Sequence, residues 1–381
     1  MSERKLVTVR KVSSITPILG ADNIELAYID GWRVVCRKGE FKENDCGVYF
    51  EVDSFVPTLD PRFSFLEKNA KDWEGKHGAV IKTMRLRKEL SQGLLLPLDL
   101  FPEINYKPEF DVDYSEDIGV YKYDKEPDAP IEEKGTPFHR FVIKHLPRSW
   151  RKKLFGAYRY FFPGKERVGK EGRRRSTLPG YLLVSNEERI QNLFNKHDFI
   201  SRKNSLFEVT IKLDGSAAYY YVKDGIFGLA SRGQKRGLES GDHFAYIAKK
   251  YNLEHYLPML NRNLQFLGEL MGPGIQGNRE KLEDFEYFVY NIYDIDARKK
   301  LGKVEREEIL AKLAEVGCTL KSVPFLEVTT LERFITIEEL LNYAEGKSLN
   351  NSVREGVVFK TLDGEFSFKV ISNRFLLGQK D

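Results

Sequence analysis

An α+β fold is predicted for this chain: a small β-barrel of short strands at the amino end, then a larger domain of antiparallel sheets with flanking helices. Three observations predict it. Over the first hundred residues, brief β-branched runs alternate with turn pairs at close intervals, the spacing of a small barrel. Beyond residue 178 the strand-like runs lengthen and are joined by a helix-start signal. Between these regions the charge changes sign twice, which marks a connector. At 381 residues the chain exceeds one ordinary core, so two domains are expected, at 1–105 and 178–381, with a connector and insertion over 106–177.

In the first region, strands are expected at 6–12, 24–29, 33–36, 47–52 and 93–98. Asp30-Gly31 lies between two alternating runs and is a hairpin signal, and Lys38-Gly39 is a second turn. This order, with Arg85-Leu86-Arg87 ahead of Ser91-Gln92-Gly93-Leu94-Leu95, resembles the OB-fold domains appended to tRNA-binding proteins. OB folds bind oligonucleotides on a strand face. Lys11, Arg33, Arg37, Lys38, Lys82, Arg85, Arg87 and Lys88 are then candidates for a basic face, the alternative being scattered surface cations.

Residues 99–133 carry twelve Asp or Glu against three Lys, with prolines at 102, 108, 127 and 130, and read as an exposed connector that a polyanion would avoid. The sign then inverts. Residues 140–175 hold thirteen Lys or Arg against two Glu, interleaved with Trp150, Phe155, Tyr158, Tyr160, Phe161 and Phe162. Cations track phosphates and aromatic faces stack on unpaired bases, so Arg151, Lys152, Lys153, Arg173, Arg174 and Arg175 are candidate RNA-binding residues of an RNA-end platform. A basic insertion whose aromatics pack on the domain is the competing reading.

In the second domain, Ser185-Asn186-Glu187-Glu188-Arg189-Ile190-Gln191-Asn192-Leu193 offers a capping side chain and first-turn acids, hence a helix start. Phe207-Glu208-Val209-Thr210-Ile211-Lys212 alternates as a strand and delivers Lys212 to an Asp214-Gly215 turn, after which residues 217–222 form the next strand. Lys212 is the candidate nucleophile. Its amine attacks the α-phosphorus of a nucleotide only when neutral, and neighbouring cations or a metal would depress its pKa. On its own, the run is equally that of a hairpin with a solvated lysine.

Lys212-Leu213-Asp214-Gly215 resembles the first motif of the covalent nucleotidyltransferases, the ATP-dependent DNA and RNA ligases and the mRNA capping enzymes. Further stretches follow in that family's order: Ser231-Arg232-Gly233, Phe266-Leu267-Gly268-Glu269-Leu270, Phe288-Val289-Tyr290-Asn291-Ile292-Tyr293-Asp294, Arg354-Glu355-Gly356-Val357-Val358-Phe359-Lys360 and Phe366-Ser367-Phe368-Lys369-Val370. Glu-Arg-Ile-Gln-Asn at 188–192 is similar to a signature of one RNA ligase branch, whose OB fold is amino-terminal. DNA ligases and capping enzymes carry theirs after the fifth motif, and only twelve residues follow Lys369 here, so an RNA ligase is expected.

The resemblance implies ATP as nucleotide and Mg²⁺ or Mn²⁺ as cofactor. Asp214, Glu269 and Glu355 would hold the metal mainly through water, one of them meeting the ribose. Phe288 or Tyr290 would stack on the adenine, with Gln191 near the base and Ile211 and Gly215 lining the nucleotide site. Arg232 would reach the ribose or the RNA end. Lys369 would stay protonated on the α-phosphate, although the family's frequent Lys-x-Lys is reduced here to Ser367-x-Lys369, leaving Arg374 or another basic residue to substitute. The implied reaction seals 5′-phosphate and 3′-hydroxyl RNA ends; the alternatives are a DNA-sealing or capping relative and a non-catalytic RNA-binding protein.

No apolar run reaches the ~18 residues of a membrane span, and the amino end leads straight into a strand-like run. An intracellular protein without signal or membrane segment is therefore expected, and it is taken to act as a monomer. Its three cysteines and six histidines show no metal-ligand spacing.

Overall fold

The computed structural model describes residues 4–104, 109–110, 112–123 and 178–378. Arg151, Lys152, Lys153, Arg173, Arg174 and Arg175, with the rest of the expected RNA-end platform, lie outside the described residues.

The amino-terminal barrel begins with β1 (Val7–Lys11), β2 (Ser14–Pro17), β3 (Ile24–Ile29), β4 (Trp32–Arg37) and β5 (Cys46–Phe50). Short strands β6 (Ser54–Val56), β7 (Lys71–Trp73), β8 (Lys76–Val80), β9 (Thr83–Leu86), β10 (Glu89–Gln92), β11 (Leu94–Pro97) and β12 (Tyr121–Lys122) follow. Sheets β1-β5-β11 and β2-β3-β4 enclose Val12, Ala27, Ile29, Trp32, Val34, Tyr49 and Leu95. Asp30 (φ 47°) and Gly31 (φ 78°) form the expected two-residue hairpin between β3 and β4. Strand β5 is buried on both faces, because Tyr49 points into this core while Val48 and Phe50 join a second one with Val7, Val9, Phe63 and Phe101.

Part of the stretch read as an exposed acidic connector closes that second core. Phe101, Ile104, Ile118 and Val120 are buried in it, β12 pairs with β6, and Asp113 Oδ1 accepts from the Leu6 and Val7 amides. Apolar residues spaced among the acids override the local charge, since their burial is worth on the order of 1.5–3 kcal/mol each.

The second domain is built from two sheets. The first contains β13 (Glu188–Arg189), β14 (Phe207–Lys212), β22 (Phe325–Thr329), β23 (Gly356–Thr361) and β24 (Ser367–Ile371) in the order β13-β24-β23-β14-β22. The second runs through β17 (Lys235–Arg236), β16 (Ile226–Ser231), β15 (Ser216–Lys223), β18 (Leu264–Met271), β19 (Glu286–Asp294) and β20 (Lys299–Lys300), with β21 (Lys321–Ser322) beside β19. β14 and β15 do not pair. The turn after Lys212 therefore carries the chain from one sheet to the other, which excludes a simple hairpin.

Alternation explains both cores. Phe207, Val209, Val357, Phe359, Phe368 and Val370 pack behind the first sheet against Phe199, Leu331 and Leu340. Tyr220, Phe266, Leu270, Tyr287 and Ile292 pack behind the second against helices His243–Lys250 and Lys303–Glu315. The faces turned toward each other carry Glu208, Thr210, Lys212, Lys360 and Lys369 on one side and Glu269 and Tyr290 on the other. The 185–193 segment is not a helix start: β13 pairs in parallel with β24, and only a 3-10 turn, Ile190–Asn192, follows. Ser185 Oγ donates to Glu187 at 2.8 Å instead of capping, and the ladder with β24 satisfies the backbone.

A buried ionic group ties the sheets together. Arg306 donates to both Glu208 oxygens at 2.6 and 2.7 Å, while Lys360 Nζ lies 3.4 Å from Glu208 and donates to the Tyr290 carbonyl at 2.5 Å. Glu208→Ala leaves two buried cations without their carboxylate, so the expected loss is about 3–5 kcal/mol, read as a lower denaturant midpoint. No helix among the described residues is long and apolar enough to cross a membrane.

Candidate active site

Lys212 ends β14, level with Gly356 of β23, and this register brings Glu355 to it: Lys212 Nζ lies 2.7 Å from Glu355 Oε2. The turn that follows is pressed against β18. A Cβ on Gly215 would sit 2.5 Å from the Leu270 carbonyl and 2.9 Å from Glu269 Cγ, so only glycine lets the backbone approach this closely. Glu269 thereby comes within electrostatic reach of Lys212, and Asp214 completes the group, its Oδ2 3.1 Å from Arg279 Nε.

Three carboxylates around one amine set the electrostatics. Burial, with Glu355 and Asp214 repelling, pushes Glu269 up to about 8, and burial with Glu355 pushes Asp214 up to about 6. For Lys212, burial opposes the charge, but Glu355, Glu269 and Asp214 outweigh it and raise the pKa. This differs from the depressed lysine pKa that neighbouring cations would cause, because the protein surrounds the amine with acids. Such a surplus of negative oxygen suits a hydrated divalent cation. Among the described residues no three His, Cys, Asp or Glu side chains form a direct metal-ligand group.

On the same sheet face, Lys369 stands level with Val358 and with Arg189 of β13. Burial, Arg189 and Lys212 pull Lys369 down to about 8, which leaves it mostly charged at neutral pH. Where a second motif lysine would stand, Ser367 Oγ accepts from Lys300 Nζ at 3.1 Å, and Arg374 is exposed. Sequence reasoning missed Arg189 and Arg279. Arg189 has a buried Nη1 without a partner among the described residues, and its position inside the Glu-Arg-Ile-Gln-Asn run was the available signal. Nothing local marks Arg279.

The other candidates are distributed around this group. Phe288 is level with Glu269 and buried with Ile211, Leu213, Met271 and Val323, whereas Tyr290 is half-buried and bridges that cluster and the one holding Tyr219 and Leu267. Gln191 is buried with both side-chain polar atoms unpartnered among the described residues. Arg232 is exposed and donates to Asn186 Oδ1 at 3.1 Å.

An OB-fold domain model matches residues 6–98, and an RNA ligase model matches residues 205–371. No curated protein sequence matches the chain. Among solved structures, a Naegleria gruberi RNA ligase variant with AMP and Mn is 36% identical, covers 99% of each chain and superposes with a TM-score of 0.78. A second variant of that ligase, with ATP and Mn, is 36% identical over 98% of this chain and 99% of that chain at 0.78, and the same ligase with PPi is 37% identical over 98% of both at 0.76. With an amino-terminal OB fold, a lysine–carboxylate cleft and this similarity along nearly its whole length, the chain belongs to the RNA ligase family.

Proposed function

We propose that the protein is an ATP-dependent RNA ligase that joins 5′-phosphate to 3′-hydroxyl RNA ends with Lys212 as nucleophile. The observation that carries this reading is Lys212 at the mouth of the inter-sheet cleft, beside Glu355, Glu269 and Asp214 and on the same face as Lys369. The Lys212 nitrogen forms a bond to the α-phosphorus of ATP as the bond to pyrophosphate breaks, and its proton leaves toward the carboxylates, Glu355 Oε2 being nearest. An RNA 5′-phosphate oxygen then takes the adenylyl group and frees the lysine. The RNA 3′-hydroxyl finally attacks the 5′-phosphorus, and AMP leaves.

Around these steps, Lys369 holds the α-phosphate, Tyr290 or Phe288 stacks on the adenine, Ile211 and Gly215 line the nucleotide site, and the unpaired amide of Gln191 is available to the base edge. Aromatic stacking of this kind is worth about 1 kcal/mol beyond burial. Arg232 contacts the ribose or the RNA end. Asp214, Glu269 and Glu355 would hold Mg²⁺ or Mn²⁺ through water, and the bound cation supplies charge that lowers the lysine pKa and neutralises phosphate oxygens. Arg151, Lys152, Lys153, Arg173, Arg174 and Arg175 serve as RNA contacts of the 140–175 segment, and the enzyme acts as an intracellular monomer.

Incubation with α-labelled ATP, in parallel with α-labelled GTP, followed by denaturing electrophoresis tests the reading. A labelled protein band from ATP, discharged by 5′-phosphorylated RNA, is expected; absence of a covalent band refutes it. Gly215→Ala is expected to cost about 1–3 kcal/mol of stability by overpacking and to cut self-labelling, because the new methyl displaces Glu269. A melting curve and a labelling time course check both parts.

A further inference from the structure

Four two-residue hairpin turns among the described residues have positive φ at both turn positions: Asp30-Gly31, Glu74-Gly75, Asp224-Gly225 and Arg87-Lys88. Glycine at the second position relieves the strain in three of them. The fourth joins β9 to β10 and places Arg87 (φ 50°) and Lys88 (φ 74°) in that conformation with full side chains. Strained backbone that the sequence could relieve with one glycine points to a use for the side chains it displays.

The surface of this ribbon is basic. Lys82, Met84, Arg85, Arg87 and Lys88 are all exposed, and none of the four cations has an ion-pair or hydrogen-bond partner among the described residues. Glu89, which directly follows the turn, is half-buried. Some cations of the second domain are by contrast paired, as with Lys250 and Asp284 at 2.9 Å, Arg262 and Asp294 at 2.7 Å, and Arg333 and Glu327 at 2.8 Å.

The ribbon is also fixed in place beside the cleft. Leu90, two residues from Lys88 and so within roughly 7 Å of it along the strand, packs with Ile371, Phe375 and Leu376 of the second domain. Ile371 is in register with Gly356, and Gly356 with Lys212. Phe375 carries the Arg279 guanidinium 4.4 Å above its ring, and Arg279 reaches Asp214 at 3.1 Å. A continuous set of contacts thus joins the root of the ribbon to the site of nucleotide transfer.

We propose that the β9–β10 ribbon is an RNA clamp, in which Arg85, Arg87, Lys88 and Lys82 bind backbone phosphates of the RNA strand being delivered to Lys212. This rests on the RNA ligase reading and adds to it a binding surface on the barrel, separate from the 140–175 segment. The ribbon reads no bases. Its cations are distributed over β9 and the turn that follows it, which suits a sugar-phosphate backbone rather than a single anion.

Replacing Arg87→Asn together with Lys88→Gly tests the clamp, since Asn-Gly is the most favourable pair for this turn and the fold is retained while two charges are lost. A second variant, Lys82→Ala with Arg85→Ala, leaves the turn untouched. RNA affinity is measured against salt with a labelled 5′-phosphorylated RNA strand, and self-labelling with ATP is measured without RNA. Each lost phosphate contact flattens the log–log salt slope by roughly 0.7–0.9, which is about 5- to 8-fold in affinity at 0.1 M salt, so either variant should bind RNA about 25- to 60-fold more weakly. Self-labelling should match wild type. Unchanged affinity and slope in both variants overturn the clamp. A raised ATP requirement for self-labelling with an unchanged RNA slope also overturns it, assigning the cations to the nucleotide's triphosphate. Failure of the wild-type protein to self-label overturns the ligase reading instead, whereas the clamp is judged only by the difference in RNA binding between variants and wild type.

Discussion

Lys212→Ala abolishes the covalent nucleotide–protein band, because it removes the amine that ends β14 beside Glu355, Glu269 and Asp214. The expected loss is complete at the sensitivity of the gel, since removal of a covalent nucleophile eliminates the intermediate instead of slowing one step. Stability should change little. Lys212 is a quarter exposed and ends its strand, so its truncation opens no large cavity, and the carboxylates left without the amine can take up protons in its place. One further outcome separates nucleophile loss from misfolding: RNA that already carries a 5′-adenylate bypasses the lysine, so the variant should still join it to a 3′-hydroxyl end. Wild-type labelling by the variant would place the nucleophile elsewhere.

Chelation of divalent cations should bring self-labelling to background, with Mg²⁺ or Mn²⁺ restoring it. The motive is the charge balance around Lys212, where Glu269 at about 8 and Asp214 at about 6 show carboxylates crowded beyond what one amine can neutralise. A cation that binds only the folded protein also stabilises it, by about 2.7 kcal/mol at a hundred times its dissociation constant. A rise in melting temperature on adding Mn²⁺ without nucleotide is therefore a second readout, and Glu269→Gln should shrink both that rise and the labelling rate. Full labelling in excess chelator, with no effect of Mn²⁺ on melting, would remove the metal from the reading.

Much of this protein was legible in one dimension. Val209 and Ile211 alternating with Glu208 and Thr210 specify a strand, and Asp214-Gly215 specifies the turn that ends it, because period-two burial and backbone freedom are local properties. Asp30-Gly31 announced its hairpin for the same reason. The Arg87-Lys88 turn did not, since neither residue favours positive φ and only the pairing of β9 with β10 imposes it. Ser185 and Glu187 look like a helix cap until β24 offers the backbone a ladder.

The amino-acid sequence determined which stretches are strands, where the reactive lysine stands and which carboxylates accompany it in order along the chain. Tertiary structure alone decided that β14 and β15 enter different sheets, so that Lys212 opens into a cleft, and that Glu355, 143 residues away, comes within 2.7 Å of it. It likewise decided that Arg279 meets Asp214, that Lys300 stands at Ser367, and that a barrel hairpin roots itself beside the cleft. These outcomes depend on strand pairing and charge burial between distant segments, whose energies appear only once the chain has closed on itself, and no local propensity encodes them.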